Sequence, residues 1–272
     1  SYDLPEARPV LERASARETA ARVALGVLAE ALLDQVAGVG LVSHVVSVGG
    51  QRATASVLPT PADEAALCEA SMRALDPADN ARFEAAVDAA KHAGDTIGGV
   101  AEVIAYGVPV GLGTHVSARE RLDARLAAAL MSIQSVKGVE IGDGFAQAAL
   151  LGSQAHDEIV RGPDDHLTRT SNHAGGIEGG TSNGSPIIAR AAFKPISTVP
   201  RALRSVDLAT GEEAVGLHQR SDTCQVVPGA VIAEAEVALV LADALFEHAG
   251  GRSVKEMRRN LEAYLSAVGE HA

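Results

Sequence analysis

The stretch SNHAGGIEGGTSNGSPIIARAAFKPIST, residues 171–198, decides how this chain is read. Gly175, Gly176, Gly179, Gly180 and Gly184 lead into a strand-like run at 186–193 that ends in Lys194-Pro195. Glycine permits positive φ and lets main-chain amides approach a bound group closely. Pro195 fixes the backbone directly after Lys194, and Ser197 and Thr198 add hydroxyl donors. An ammonium, two hydroxyls and several amides suit a phosphate or the polar edge of a flavin. A tight surface turn is the plainer account of an isolated glycine-rich segment. The length and composition of this one favour a loop that wraps a ligand.

The segments on either side predict regular elements. Val10, Leu11, Ala14, Ala21, Val23, Leu25, Leu28 and Leu32 recur near helical spacing, so residues 8–36 read as one long helix ended by Gly38 and Gly40. LVSHVVSV at 41–48 reads as a strand, and Pro59, Pro61 and Pro77 mark loops in the pattern-poor part from 49 to 77. Residues 80–92 predict an amphipathic helix, 100–113 a pair of strands around Gly107-Val108-Pro109, and 122–136 an apolar helix with Asp123 and Arg125 at its beginning. Beyond the glycine loop, 186–193 and 213–217 read as strands and 232–248 and 254–268 as helices. No repeat or low-complexity linker divides the chain, which reads as one domain over residues 1–272. The pattern implies an α+β layered domain with helices packed against antiparallel sheets.

Composition limits the function classes. The 272 residues are 47% hydrophobic but only 3% aromatic, with no Trp, so the core must be built from Ala, Val, Leu and Ile and a base-stacking surface is disfavoured. A net charge of −12 opposes generic binding to nucleic acid or an anionic membrane, and an anionic substrate would need local arginines and lysines. Cys68 and Cys224 lie far apart, which points to neither a zinc site nor a disulfide framework and fits a reducing, cytoplasmic setting. No apolar run reaches the ~18 residues of a membrane span, and no signal peptide is evident before Ser1.

Five separated blocks then carry a resemblance. ERASARETAARVA at 12–24, SVKGVEIGDGF at 135–145, GSQAHDE at 152–158, the AGGIEGG…FKPIST loop and QRSDTCQV at 219–226 resemble the signatures of the chorismate synthase family, in that family's order. The resemblance runs from end to end of the chain but covers the later two-thirds of a typical member. The family's early Gly-Glu-Ser-His-Gly and Arg-Pro-Gly-His-Ala-Asp motifs, with its two histidine acids, have no counterpart here. The chain therefore reads as a fragment, expected to lack strands of one sheet and to expose apolar surface.

The resemblance implies a sandwich of long helices between antiparallel sheets, usually a homotetramer. The implied reaction belongs to the shikimate pathway: a 1,4-anti elimination of phosphate from 5-enolpyruvylshikimate 3-phosphate to give chorismate, dependent on reduced FMN. It extends to NADP by family association. Carried over position by position, it places Arg13, Ala14 and Ser15, Gln134 and Ser135, Gly179, Lys194, Pro195, Ile196, Ser197 and Thr198, and Arg220 against FMN. It assigns Arg17 to the substrate and Asp222 to proton movement near the flavin ring. Partners are then a small phosphorylated substrate, with no nucleic acid, membrane or metal.

Each residue also has a plainer account. Arg13 and Arg17 could pair with Glu12 or Glu18, and Asp222 could cap a turn. Glu140 and Asp143 fit a structural loop; His44 fits a structural place in its strand, His173 either loop or ligand, and His156 either role. Three readings stay open: a chorismate synthase, an inactive flavin- or phosphate-binding module, and a structural domain of the same fold.

Overall fold

The computed structural model describes residues 4, 6, 8–54, 57–162, 167–207, 209–216 and 222–269. Helix α1 (Arg8–Ala14) leads through a 3₁₀ turn (Ala16–Glu18) into α2 (Thr19–Ala37), β1 (Gly40–Val48) and β2 (Gln51–Arg52). A 3₁₀ turn (Pro61–Asp63), α3 (Glu64–Glu69) and α4 (Pro77–His92) precede β3 (Gly99–Tyr106), α5 (Leu122–Met131) and β4 (Val136–Ile141). Next come α6 (Gly144–Gln147), α7 (Gly152–Ala155), β5 (Ile159–Arg161), β6 (Leu167–Arg169), β7 (Ile177–Glu178), β8 (Thr181–Ser182) and β9 (Ile187–Phe193). The hairpin of β10 (Arg204–Val206) and β11 (Glu213–Val215) precedes α8 (Val226–Ala249) and α9 (Val254–Gly269).

The main sheet has five antiparallel strands in the order β2-β1-β3-β9-β4. Alternation along these strands sends Leu41, Val45, Ala101, Val103, Ala105, Ile187, Ala189 and Ala191 into the main core. That core lies under a layer formed by α2, α8 and α5, with α9 packed on α2 and α8. Helix α8 is apolar and alanine-rich around most of its circumference, and it is correspondingly buried around most of it. Its small residues permit close approach: a Cβ added at Gly26 of α2 would lie 2.4 Å from the Ala235 Cβ, and one at Gly229 would lie 2.6 Å from the Phe193 ring. Away from α8, α2 leaves Leu25, Val27 and Leu28 exposed.

The opposite face of the sheet mixes a small apolar cluster (Val42, Leu67, Ile104 and Ile188) with a row of charge. His44, Glu102, Arg190 and Glu140 stand side by side in the register of four neighbouring strands. The His44 Nε2 and Glu102 Oε1 are 2.8 Å apart, and Arg190 Nε donates to Glu102 Oε2 at 2.6 Å. Burial opposes ionisation of Glu102, but His44 and Arg190 outweigh it and hold the carboxyl below its ordinary range. The structural role read for His44 thus has a partner.

Several sequence expectations need correction. The helix read over 8–36 breaks at Ser15, whose extended backbone (φ −75°, ψ 143°) and side chain cap the 3₁₀ turn through the Arg17 amide. The helix read over 122–136 stops at Met131; Ser135 takes φ 73° and Val136 opens β4. Only one strand forms in 100–113, because Gly107 (φ 73°) turns the chain away and Gly113 makes just an isolated bridge to Thr181. The helix expected from 232 begins at Val226, and that expected from 80 begins at Pro77, where Asp76 caps and proline suits the first turn.

Candidate functional site

The end of the glycine-loop stretch is held where several elements terminate. Phe193, the last residue of β9, pairs with Gly99 at the start of β3 and with Val136 at the start of β4. Lys194 N then donates to Ser135 O at 2.9 Å, and Thr96 Oγ1 donates to Ile196 O at 2.7 Å. On the other side, Ile97 N donates to Thr223 O at 2.9 Å and Gln225 Nε2 to Lys194 O at 3.4 Å, next to the start of α8. Gly98 makes this crossing possible, since an added Cβ would lie 2.3 Å from Phe193 O and 3.0 Å from Pro195 N. Ser135 adds a left-handed non-glycine residue to the same place, a conformation that costs energy and persists only where its surroundings impose it.

The RASARE segment reaches this end through Gln134. Gln134 Nε2 donates to Glu18 Oε1 at 2.6 Å, and Arg22 holds the same carboxylate through Nε at 3.0 Å and Nη2 at 2.8 Å. The hydrogen bonds from Arg22 and then from Gln134 keep Glu18 ionised below its ordinary range. Gln134 Oε1 is buried with no hydrogen-bond partner among the described residues.

The structure therefore joins Ser15 to Glu18, Gln134 and Ser135, 194–198 and the Asp222-Thr223 step into one connected set. Arg13, Ala14, Arg17, Lys194, Pro195, Ser197 and Asp222 are exposed, so a ligand can reach them. Among the described residues, neither Arg13 nor Lys194 has an ion-pair partner, while Arg17 lies 3.4 Å from Glu12. That pair is more than half exposed on both sides and is easily exchanged for a stronger anion. The 24-residue α8 starts nearby without a side-chain cap from Gln225, and Pro228 brings no N–H to its first turn. Arg13, Arg17 and Lys194 with the hydroxyls of Ser197 and Thr198 thus give this end cationic and donor groups on a chain whose net charge is −12.

Gly179 does not join the set. Its neighbour Gly180 accepts from Leu122 N at the opening of α5, whereas Gln134 follows the end of that helix, about 15 Å away by helical rise. Arg220 lies outside the described residues.

A family model described as chorismate synthase matches residues 1–246. The chain belongs to the chorismate synthase family. It is 59% identical over 270 residues to a chorismate synthase of Beutenbergia cavernae, covering 99% of this chain and 68% of that protein. It is 57% identical over 272 residues to a chorismate synthase of Bifidobacterium animalis subsp. lactis, covering 99% of this chain and 69% of that one. A crystal structure of chorismate synthase matches with a TM-score of 0.83 at 38% identity, over 98% of this chain and 74% of that chain. The chain thus spans about two-thirds of the length of the relatives it matches.

In this chorismate synthase-family chain the remaining candidates lie apart from that end of the sheet. His173 Nδ1 lies 2.5 Å from Asp143 Oδ2, and that hydrogen bond raises its pKa. Asp157 accepts from Ser171 Oγ and from the amides of His173 and Ala174, which orders the glycine-rich loop. Glu140 Oε1 accepts from Phe145 N at 3.1 Å, the local role the VEIGDG motif suggested. His156 is exposed, both cysteines are free, and no metal-binding cluster occurs among the described residues.

Sequence reading missed Glu18, Arg22, Thr96 and Gly98 as parts of this end of the molecule. The first two carry a readable signal, since Glu and Arg four apart on a helix are neighbours. Nothing local marks Thr96 or Gly98, whose roles arise from a segment about 100 positions further along the chain.

Proposed function

We propose that this chain supplies the flavin- and phosphate-binding wall of a chorismate synthase, a carbon–oxygen lyase that eliminates phosphate from 5-enolpyruvylshikimate 3-phosphate to give chorismate. The observation that carries this reading is the convergence of 194–198, Ser135, Gln134 and the Asp222-Thr223 step on one end of the sheet, in a chain of this family. Reduced FMN, when bound, lends electron density to the ring that loses phosphate and takes it back as a ring hydrogen leaves.

The residues present fit such a group. Lys194 and Arg13 offer cationic donors to a phosphate, and Ser197 and Thr198 offer hydroxyls. Gln134 Oε1, a buried acceptor without a partner among the described residues, suits a donor on the ligand such as a ring imide. Arg17, released from its exposed contact with Glu12, serves the substrate phosphate. Asp222 acts as the group that holds and moves the proton lost from substrate. Gly179, beside the opening of α5, remains a proposed flavin contact, and a homotetramer is the proposed assembly. A cytoplasmic location is part of this reading; among the described residues no helix is long and apolar enough to cross a membrane.

The deciding experiment is an anaerobic assay of this 272-residue chain with 5-enolpyruvylshikimate 3-phosphate and chemically reduced FMN, following chorismate directly. FMN binding without turnover is the expected outcome, since the family's two histidine acids have no counterpart here. Chorismate formation would show those histidines to be dispensable or replaced, and the failure of FMN to bind would refute the proposal.

A further inference from the structure

We propose that Glu18 and Arg22 are positioning residues for the flavin wall, acting through the amide of Gln134; this rests on the reading of the site given above. Arg22 is the hub of a four-segment junction. Its Nε and Nη2 grip Glu18 at the start of α2, and its Nη1 donates to Ser132 Oγ at 2.6 Å after α5 and to Glu236 Oε1 at 3.0 Å on α8. One guanidinium thereby sets the spacing between the RASARE segment and the 132–135 turn. Its planar fork matches a carboxylate in a way an ammonium does not.

Glu18 then decides which way the Gln134 amide faces. An ionised carboxylate only accepts, so the NH₂ group of Gln134 turns to Glu18 and the carbonyl oxygen turns away. That oxygen, Oε1, is the atom left buried and unpaired. An unmet buried acceptor is costly, and among the described residues Arg169 Nε and His248 Nε2 are the other buried side-chain atoms left without a partner. The cost is understandable if a ligand donor completes it, and Ser135, the next residue, already carries strained backbone at the same spot. The Glu18 and Arg22 side chains are 32% and 25% exposed, so removing one contact leaves the buried core intact.

The test measures FMN binding to the whole chain by quenching of flavin fluorescence, the absorption spectrum of bound FMN at saturation, and the Tm of the ligand-free protein. Glu18→Gln frees the Gln134 amide to flip, so the Kd for FMN should rise about tenfold, the bound spectrum should shift, and the Tm should change by less than about 3 °C. Arg22→Lys keeps charge without the fork and should give a smaller change in the same direction. Gln134→Leu should reproduce the Glu18→Gln spectrum, and it carries the test if Glu18→Gln does not fold. An unchanged Kd and spectrum in Glu18→Gln overturns the proposal. So does a Kd that worsens only in step with Tm while the saturated spectrum stays that of the unsubstituted chain, since that is cohesion alone. If the unsubstituted chain binds no FMN, the site reading itself fails, and the proposal with it.

Discussion

Raising the pH from 4.5 to 8 should destabilise this fold through Glu30, and the size of the effect can be worked out. Glu30 on α2 is half-buried, and its neighbours include Glu234 of α8 and Glu64 of α3. Arg73 serves two of these carboxylates, with Nη2 at 2.7 Å from Glu64 and 3.3 Å from Glu234, and it also donates through Nε to Ser43 O at 2.9 Å. One guanidinium does not neutralise three carboxylates. Burial first, then Glu234 and Glu64, push the Glu30 pKa from 4.5 to about 7.

Because the folded-state value is the higher one, the folded chain holds the proton more tightly than the unfolded chain. The resulting stability is fully present below pH 4.5, declines as pH rises through the interval to 7, and is gone above it. At about 1.36 kcal/mol per pH unit the full effect would be about 3.4 kcal/mol. Water reaches about half of the group, and screening reduces this to about 1.5 kcal/mol, or about 4 °C in Tm. Urea melts of the unsubstituted chain and Glu30→Gln across that pH range isolate the effect, since His173 and His248 titrate equally in both. The two chains should agree at pH 4.5, and Glu30→Gln should be the more stable by about 1.5 kcal/mol at pH 8. Parallel curves would refute the argument.

Gly26→Ala would gain about 1 kcal/mol of helix propensity. Its Cβ, however, would sit 2.4 Å from Ala235 Cβ and 2.7 Å from Ala235 Cα, so we expect a net loss of about 1–3 kcal/mol by chemical melts, partly recovered by adding Ala235→Gly. Glu102→Gln removes the buried carboxylate that His44 and the quarter-exposed Arg190 share, and should cost about 1–2 kcal/mol; an unchanged Tm would show that the row of charge on the sheet is not structural. Lys194→Ala should weaken FMN binding before it affects turnover, and equal flavin affinity would contradict the placement of the loop. In a full-length version that carries the family's two histidine motifs, Asp222→Asn should abolish or greatly slow chorismate formation while leaving FMN affinity nearly intact, and equal rates would remove Asp222 from the mechanism.

Family and fold class were legible because they rest on local or ordered information. Five blocks in a fixed order identify the family without coordinates. The β-branched run at 41–48, the apolar run at 187–193 and the apolar continuity of 226–249 report burial directly. Glycine and proline marked the loops that separate these elements.

The sequence by itself thus determined the family, the α+β class and the approximate place of the long helices and of β1, β3 and β9, while β4 and most of the short elements went unread. Tertiary structure alone decided that Ser15 and Ser135 interrupt what periodicity read as continuous helix. It also decided that Gln134 faces Glu18, that Gly98 admits 193–195, and that Gly180 meets the opening of α5 while Gln134 follows its end. The physical reason is range. Propensity and periodicity describe a residue's own turn or strand, whereas these features depend on groups about 100 positions apart that meet only when α2, α5 and β9 pack at one end of the sheet.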